Sequence, residues 1–225
     1  MGEKVTFPSN AHACEGYLAL PRGGRGPAVV VIQEWWGLVP HIQDLADRFA
    51  ADGFLALAPD LYHGKTTKSP DDAAKLLMEL DAERATAEIV GAGEYLLGRP
   101  ECSSSTFGVV GFCMGGALAQ SAATRGDRVG AAVSFYGGFK DVKLDWQRLK
   151  APLLLIYGEM DKGVPASKGI ELQKELRAMG KDVAVAVYPG ADHAFFNDTR
   201  TEVYNARAAE DAWRRTIELF RQHVR

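Results

Sequence analysis

The sequence predicts an α/β fold, with a mostly parallel central sheet and helices on both faces. Short apolar runs rich in β-branched residues alternate with amphipathic helical patterns from residue 28 onward, the signature of a parallel sheet covered on both sides. Two earlier strand-like stretches have no helix between them, which predicts an antiparallel edge. No repeat, low-complexity block or Pro/Ser-rich linker divides the 225 residues, so they read as one domain spanning 1–225.

The antiparallel edge falls at 4–7 and 16–20. "AVVVI" at 28–32 reads as a strand buried on both faces. A helix is expected over 41–51, with Ile42, Leu45, Ala46 and Phe49 on one face. "GFLALAP" at 53–59 is the next strand, closed by Pro59. Ser69-Pro70-Asp71-Asp72 then starts a helix. Serine caps, proline suits the first turn, and the acids favour the positive helix end. Helices are expected at 70–80, 83–97, 114–125, 166–179 and 201–222. Strands are expected at 106–111, 130–135, 152–157 and 182–188. Ala206, Ala209, Trp213, Ile217, Phe220 and Val224 recur at three- and four-residue steps, giving the last helix an apolar face.

Composition narrows the function classes. Lys plus Arg number 26 against 29 Asp plus Glu, a net charge of −3 with no basic stripe, so nucleic acid is not an expected partner. No apolar run reaches the roughly 20 residues that span a bilayer, and the first residues lack the order of a signal peptide, so no membrane partner is expected. The three cysteines, at 14, 102 and 113, are odd in number and widely spaced. They suggest neither a disulfide framework nor a zinc ribbon, and a reducing, cytoplasmic setting is expected. Cys14 is assigned to a strand and Cys102 to the polar loop "RPECSSST", both as small structural residues. No HxH, HExxH, P-loop or GxGxxG is present, so neither a metal nor a phosphate-bearing cofactor is expected.

In parallel sheets, ligands gather beyond the carboxyl ends of the strands. Those loops carry Glu34 in "QEWWG", Cys113 in "GFCMGG", Asp161 in "GEMDKGVP" and His193 in "GADHAFF". A glycine-flanked cysteine alone fits a buried structural thiol as well as a reactive one. A thiol, an acid and an imidazole at successive strand ends, in the chain order Cys, Asp, His, have the arrangement of an α/β hydrolase with cysteine at the nucleophile position. The glycines two positions either side of Cys113 then have a reason. The turn between strand and helix is tight, and side chains there would strike neighbouring backbone. The turn also sets the sulfur at the start of helix 114–125, where the dipole favours a thiolate. Asp192 and Asp198 are rivals to Asp161 as the orienting acid, and the strand-end loop favours Asp161. Glu34 directly follows a fully apolar strand, where an uncompensated carboxylate is costly; the alternative is an acid turned to water. Trp35 and Trp36 either line the pocket or cover core.

These segments resemble the dienelactone hydrolase family of α/β hydrolases. The likeness runs through "GYLALPRG", "PAVVVIQEWWGL", "LAPDLY", "GVVGFCMGG", "FYGG", "LLLIYGEMDKGVP" and "YPGADHAFFN". It implies a triad of Cys113, Asp161 and His193, with Glu34 taking the thiol proton when substrate arrives. Backbone N–H groups of Met114 and Trp35 would form the oxyanion hole. It also implies Tyr136 as a pocket residue, beside Trp36 as the tryptophan that would line the pocket if it does not cover core. Founding members grip a substrate carboxylate with arginines, one of them four residues after the histidine; here Asn197 stands in that place. Arg84 is the available match for a second arginine.

The expected protein is a cysteine-dependent hydrolase of small esters or lactones working through an acyl-enzyme, as a monomer or homodimer. A related hydrolase of thioesters or phosphotriesters is the second enzyme reading. A small-molecule binder or redox sensor using Cys113 is the non-enzymatic alternative.

Overall fold

A computed structural model describes residues 2–9, 12–138, 142 and 144–225. Its centre is one eight-stranded sheet in the order β1-β2-β4-β3-β5-β6-β7-β8. Strands β1 (Glu3–Ser9) and β2 (His12–Ala19) form the antiparallel edge, and β2 runs antiparallel to β4 (Leu55–Pro59). From β4 onward every pairing is parallel, through β3 (Gly26–Ile32), β5 (Cys102–Phe112), β6 (Val129–Phe135), β7 (Leu153–Gly158) and β8 (Val183–Tyr188).

The apolar runs are buried on both faces because helices cover both. On one side, α1 (Pro40–Ala51) and α6 (Ala206–His223) bring Phe49 and Phe220 against Val31, Val110 and Val133. On the other, α3 (Ala82–Leu97), α4 (Met114–Arg125) and α5 (Ala166–Ala178) bring Ile89, Leu118 and Leu176 against Val30, Val109 and Leu155. The predicted face of α1 is wholly buried, with Ile42, Leu45, Ala46 and Phe49 all at 0% exposure. Ser69 caps α2 (Pro70–Glu79) by accepting from the Asp72 N–H. Among the described residues, no helix is long and apolar enough to cross a membrane.

Two expectations need correction. Cys102 is not in a loop but opens β5, buried, with its backbone paired to Gly26 across a register shift. The polar side chains of "SSST" disguise this strand because Ser104 is used internally: its hydroxyl accepts from the Ala28 N–H. The last helix begins at Ala206 rather than near 201, because the Asn205 side chain caps it by accepting from the Ala208 N–H. Ala206 is consequently exposed, while Ala209, Ile217 and Phe220 keep their predicted burial.

Candidate active site

Strand β5 ends at Phe112, and Cys113 makes the turn into α4 with φ 56° and ψ −119°. This is a strained conformation for a non-glycine residue and costs on the order of 1–3 kcal/mol. Surrounding backbone holds it: the Cys113 N–H donates to the Phe135 carbonyl at 3.1 Å, and the Cys113 carbonyl accepts from Gly116 at 3.0 Å. A Cβ on Gly115 would lie 2.4 Å from the Gln33 carbonyl oxygen, so α4 can start this close to β3 only with glycine there.

The imidazole of His193 comes from the loop after β8, and the carboxylate of Asp161 from the loop after β7. His193 Nδ1 and Asp161 Oδ2 are 2.6 Å apart. The other carboxylate oxygen accepts backbone N–H groups of Gly163 at 2.9 Å and Val164 at 2.8 Å. Burial opposes the Asp161 charge, but hydrogen bonds from His193, Val164 and Gly163 outweigh it and hold the carboxyl below its ordinary value. Burial likewise opposes protonation of His193. Hydrogen bonding to Asp161 and interaction with the Cys113 sulfur overcome this and push the imidazole up to about 10. The Met160 N–H donates to the Ala191 carbonyl at 2.8 Å, tying the acid loop to the histidine loop. The rival acids are engaged elsewhere: Asp192 accepts from the His193 backbone N–H, and Asp198 pairs with Arg48.

Glu34 ends β3's approach to the site and is buried at 2% exposure. Burial raises its carboxyl above the ordinary range, against the opposing pull of an Asn197 hydrogen bond and of the His193 and Arg200 charges. Asn197 Nδ2 donates to Glu34 Oε2 at 2.8 Å. Asn197 also borders an open cleft of about 530 Å³, shared with Trp36, Val39, Thr67, Lys68 and Arg200. The two tryptophans meet edge to face at 4.9 Å, both partly exposed, with Trp36 on the cleft wall. Met114 is the first residue of α4, where helix N–H groups lack intrahelical acceptors, and Trp35 follows Glu34 in the facing loop.

Tyr136 continues β6 with φ 39°, fully buried, its ring 4.9 Å from the His193 imidazole. Its hydroxyl has no hydrogen-bond partner among the described residues. Arg84 does not join this group. It pairs with the buried Glu88 at 2.8 Å, one turn along α3, and borders a separate hollow with Tyr62, His63 and Leu76. The resemblance offers Arg84 as a second arginine, but an i,i+4 partner claims the side chain instead.

Three residues around the site carried no sequence signal. Tyr62 directs its hydroxyl at the Met114 sulfur at 3.4 Å, Thr199 hydrogen-bonds Asn197, and Arg200 acts electrostatically on Glu34. Thr199 and Arg200 lie close to His193 in sequence, but nothing in "NDTR" marks them as site residues.

A mostly parallel sheet with a cysteine elbow and a hydrogen-bonded His–Asp pair at its carboxyl end defines an α/β hydrolase. The dienelactone hydrolase family model matches residues 14–224, and the chain belongs to that family of hydrolases acting on ester bonds. An Aquifex aeolicus protein named "putative carboxymethylenebutenolidase" is 34% identical, with both chains covered in full. The crystal structure of a "putative dienelactone hydrolase" from Klebsiella pneumoniae superposes with a TM-score of 0.89 at 28% identity, covering 99% of each chain. A dienelactone hydrolase-like promiscuous phosphotriesterase from metagenomic libraries gives a TM-score of 0.87 at 26% identity, covering 99% of this chain and 98% of that one.

Proposed function

We propose that the protein hydrolyses small esters or lactones through an acyl-enzyme on Cys113, in the reducing cytoplasm. The observation that carries this reading is the His193 imidazole, hydrogen-bonded to Asp161 at 2.6 Å, with the Cys113 sulfur among the groups that favour its protonated form.

In the resting site His193 is an imidazolium and Cys113 a thiol. Glu34 takes the thiol proton, and the imidazolium stabilises the thiolate. The sulfur attacks the carbonyl carbon, and the oxyanion is received by the Met114 and Trp35 N–H groups, each donor contributing about 3 kcal/mol. As the C–O bond breaks, His193 gives its proton to the leaving alkoxide, leaving a thioester on Cys113. Neutral His193 then takes a proton from water, which attacks the thioester and expels the thiolate. Return of the Glu34 proton restores the thiol. Asp161 fixes the imidazole tautomer and supports its charge throughout.

The test is turnover of a chromogenic short-chain ester with intact-mass detection of the quenched enzyme. An acyl adduct confined to the peptide containing Cys113 is expected. Stoichiometric thiol labelling without turnover would instead make the protein a sensor. A phosphotriester assayed in parallel addresses the second reading, which the phosphotriesterase relative favours.

A further inference from the structure

Asn197 stands where the family likeness puts a substrate-gripping arginine, yet both ends of its amide are hydrogen-bonded inside the protein. Its Oδ1 accepts both the Thr199 hydroxyl at 2.6 Å and the Thr199 N–H at 3.1 Å. Two donors on one atom fix which end of the amide is oxygen, so the group facing Glu34 is the NH₂. That group donates to Glu34 Oε2 at 2.8 Å. Both residues are buried, at 2% for Glu34 and 3% for Asn197, so the contact is shielded from water.

We propose that Asn197 is a positioning residue: oriented by Thr199, its amide holds the Glu34 carboxyl in the place from which it serves Cys113. This rests on the reading of Glu34 as the acceptor of the thiol proton. A neutral amide suits the task. It restrains the carboxylate by one hydrogen bond without adding a full positive charge, which would hold Glu34 ionised and weaken it as a base. Burial keeps the proton affinity of Glu34 high, and the Asn197 bond moderates it. Reversal of the amide would present oxygen to oxygen, and Thr199 opposes that reversal.

The experiment follows Glu34 directly. Protein labelled with carbon-13 at the glutamate carboxyl is titrated by NMR, and the Glu34 resonance is assigned by its disappearance in Glu34→Gln. Asn197→Asp is expected to raise the Glu34 midpoint by about one unit or more, since a second carboxylate replaces a donor. Thr199→Val, which removes the hydroxyl donor, keeps the backbone N–H and does not touch Glu34, is expected to move it the same way by less, and serves if Asn197→Asp does not fold. Single-turnover acylation, measured against pH, should shift its acid limb with the midpoint. An unmoved Glu34 midpoint in a folded variant overturns the proposal, as does a loss of melting temperature with an unchanged pH profile. If Glu34→Gln acylates at the wild-type rate while the midpoints do shift, the proton-acceptor reading fails and the Asn197–Glu34 contact stands.

Discussion

Gly111 and Gly115 pack backbone to backbone across the turn that carries Cys113. A Cβ on Gly111 would lie 1.9 Å from the Gly115 carbonyl oxygen and 2.3 Å from its carbon. Neither atom belongs to a flexible side chain, so neither can swing away. Gly111→Ala is therefore expected to cost at least about 2–3 kcal/mol and most of the esterase activity. Gly23→Ala, where an added Cβ meets nothing within 4 Å, should stay within about 0.5 kcal/mol of wild type. Urea unfolding of the two variants, with ester turnover on each, checks the contrast.

The three thiols should separate cleanly. Cys14 is buried, and burial together with Glu88 pushes its thiol up to about 11, so it resists alkylation. Cys102 is buried at the start of β5, while Cys113 is partly exposed. One equivalent of iodoacetamide label on Cys113 is expected to accompany complete loss of turnover. Cys113→Ala should lose about 10⁴-fold or more, and Cys14→Ala and Cys102→Ala should remain active. Near-normal rates in Cys113→Ala would remove the thiol from the mechanism.

Stability should carry the signature of the His193–Asp161 pair. His193 has its folded value raised from 6.5 to about 10, so its contribution is fully present below the unfolded value and is lost as pH rises through the folded one. The melting-temperature gap between wild type and His193→Gln is therefore expected to be widest near about pH 6 and to narrow toward about pH 10. Asp161 works in the opposite direction. Its lowered value gives stability that is present above the ordinary carboxyl range and is lost on acidification through the folded value. A gap that does not change across the alkaline range would contradict the raised imidazole.

Restoring a cation at position 197 should harm the enzyme. From sequence alone, Asn197→Arg promises a shift in preference toward carboxylate-bearing substrates. In the structure the neighbour of that side chain is Glu34, so a guanidinium there would pair with the buried carboxylate and pull its proton affinity down. The expected result is acylation slowed by about tenfold or more for neutral and anionic esters alike. Single-turnover rates on a matched pair of esters decide. A selective gain for the anion would show that the arginine reaches substrate rather than Glu34.

What was legible in the sequence follows from how local each signal is. Strands such as β3 and β7 are near-continuous apolar runs, so their burial on both faces is written in consecutive residues. Cys113, Asp161 and His193 each follow such a run, so the chain order alone places them at one end of the sheet. The start of α6 is not legible, because the apolar repeat says where a helix faces and not where Asn205 caps it. Asn197 is legible as a residue of the cleft, but its contact with Glu34 is not. Its partner Glu34 lies 163 residues away, and no periodicity reports which of two buried polar groups will meet. Arg84 illustrates the converse: a charged residue in a promising region was already satisfied by Glu88 one turn along its own helix.

Cys113, Asp161 and His193 all follow the finishing ends of parallel strands, and this divides the molecule into a candidate working end and a blank one. The turns that lead into β6 and β8 lie at the blank end, where Asp127 and Gly180 are exposed and a Cβ on Gly180 would meet nothing within 4 Å. For anyone wishing to tether this enzyme to a surface, splice in a reporter or fuse a second module, these turns are the attachment points of choice. Cargo placed there is separated from the Cys113 sulfur by the full length of a strand and leaves the candidate site's end of the sheet clear.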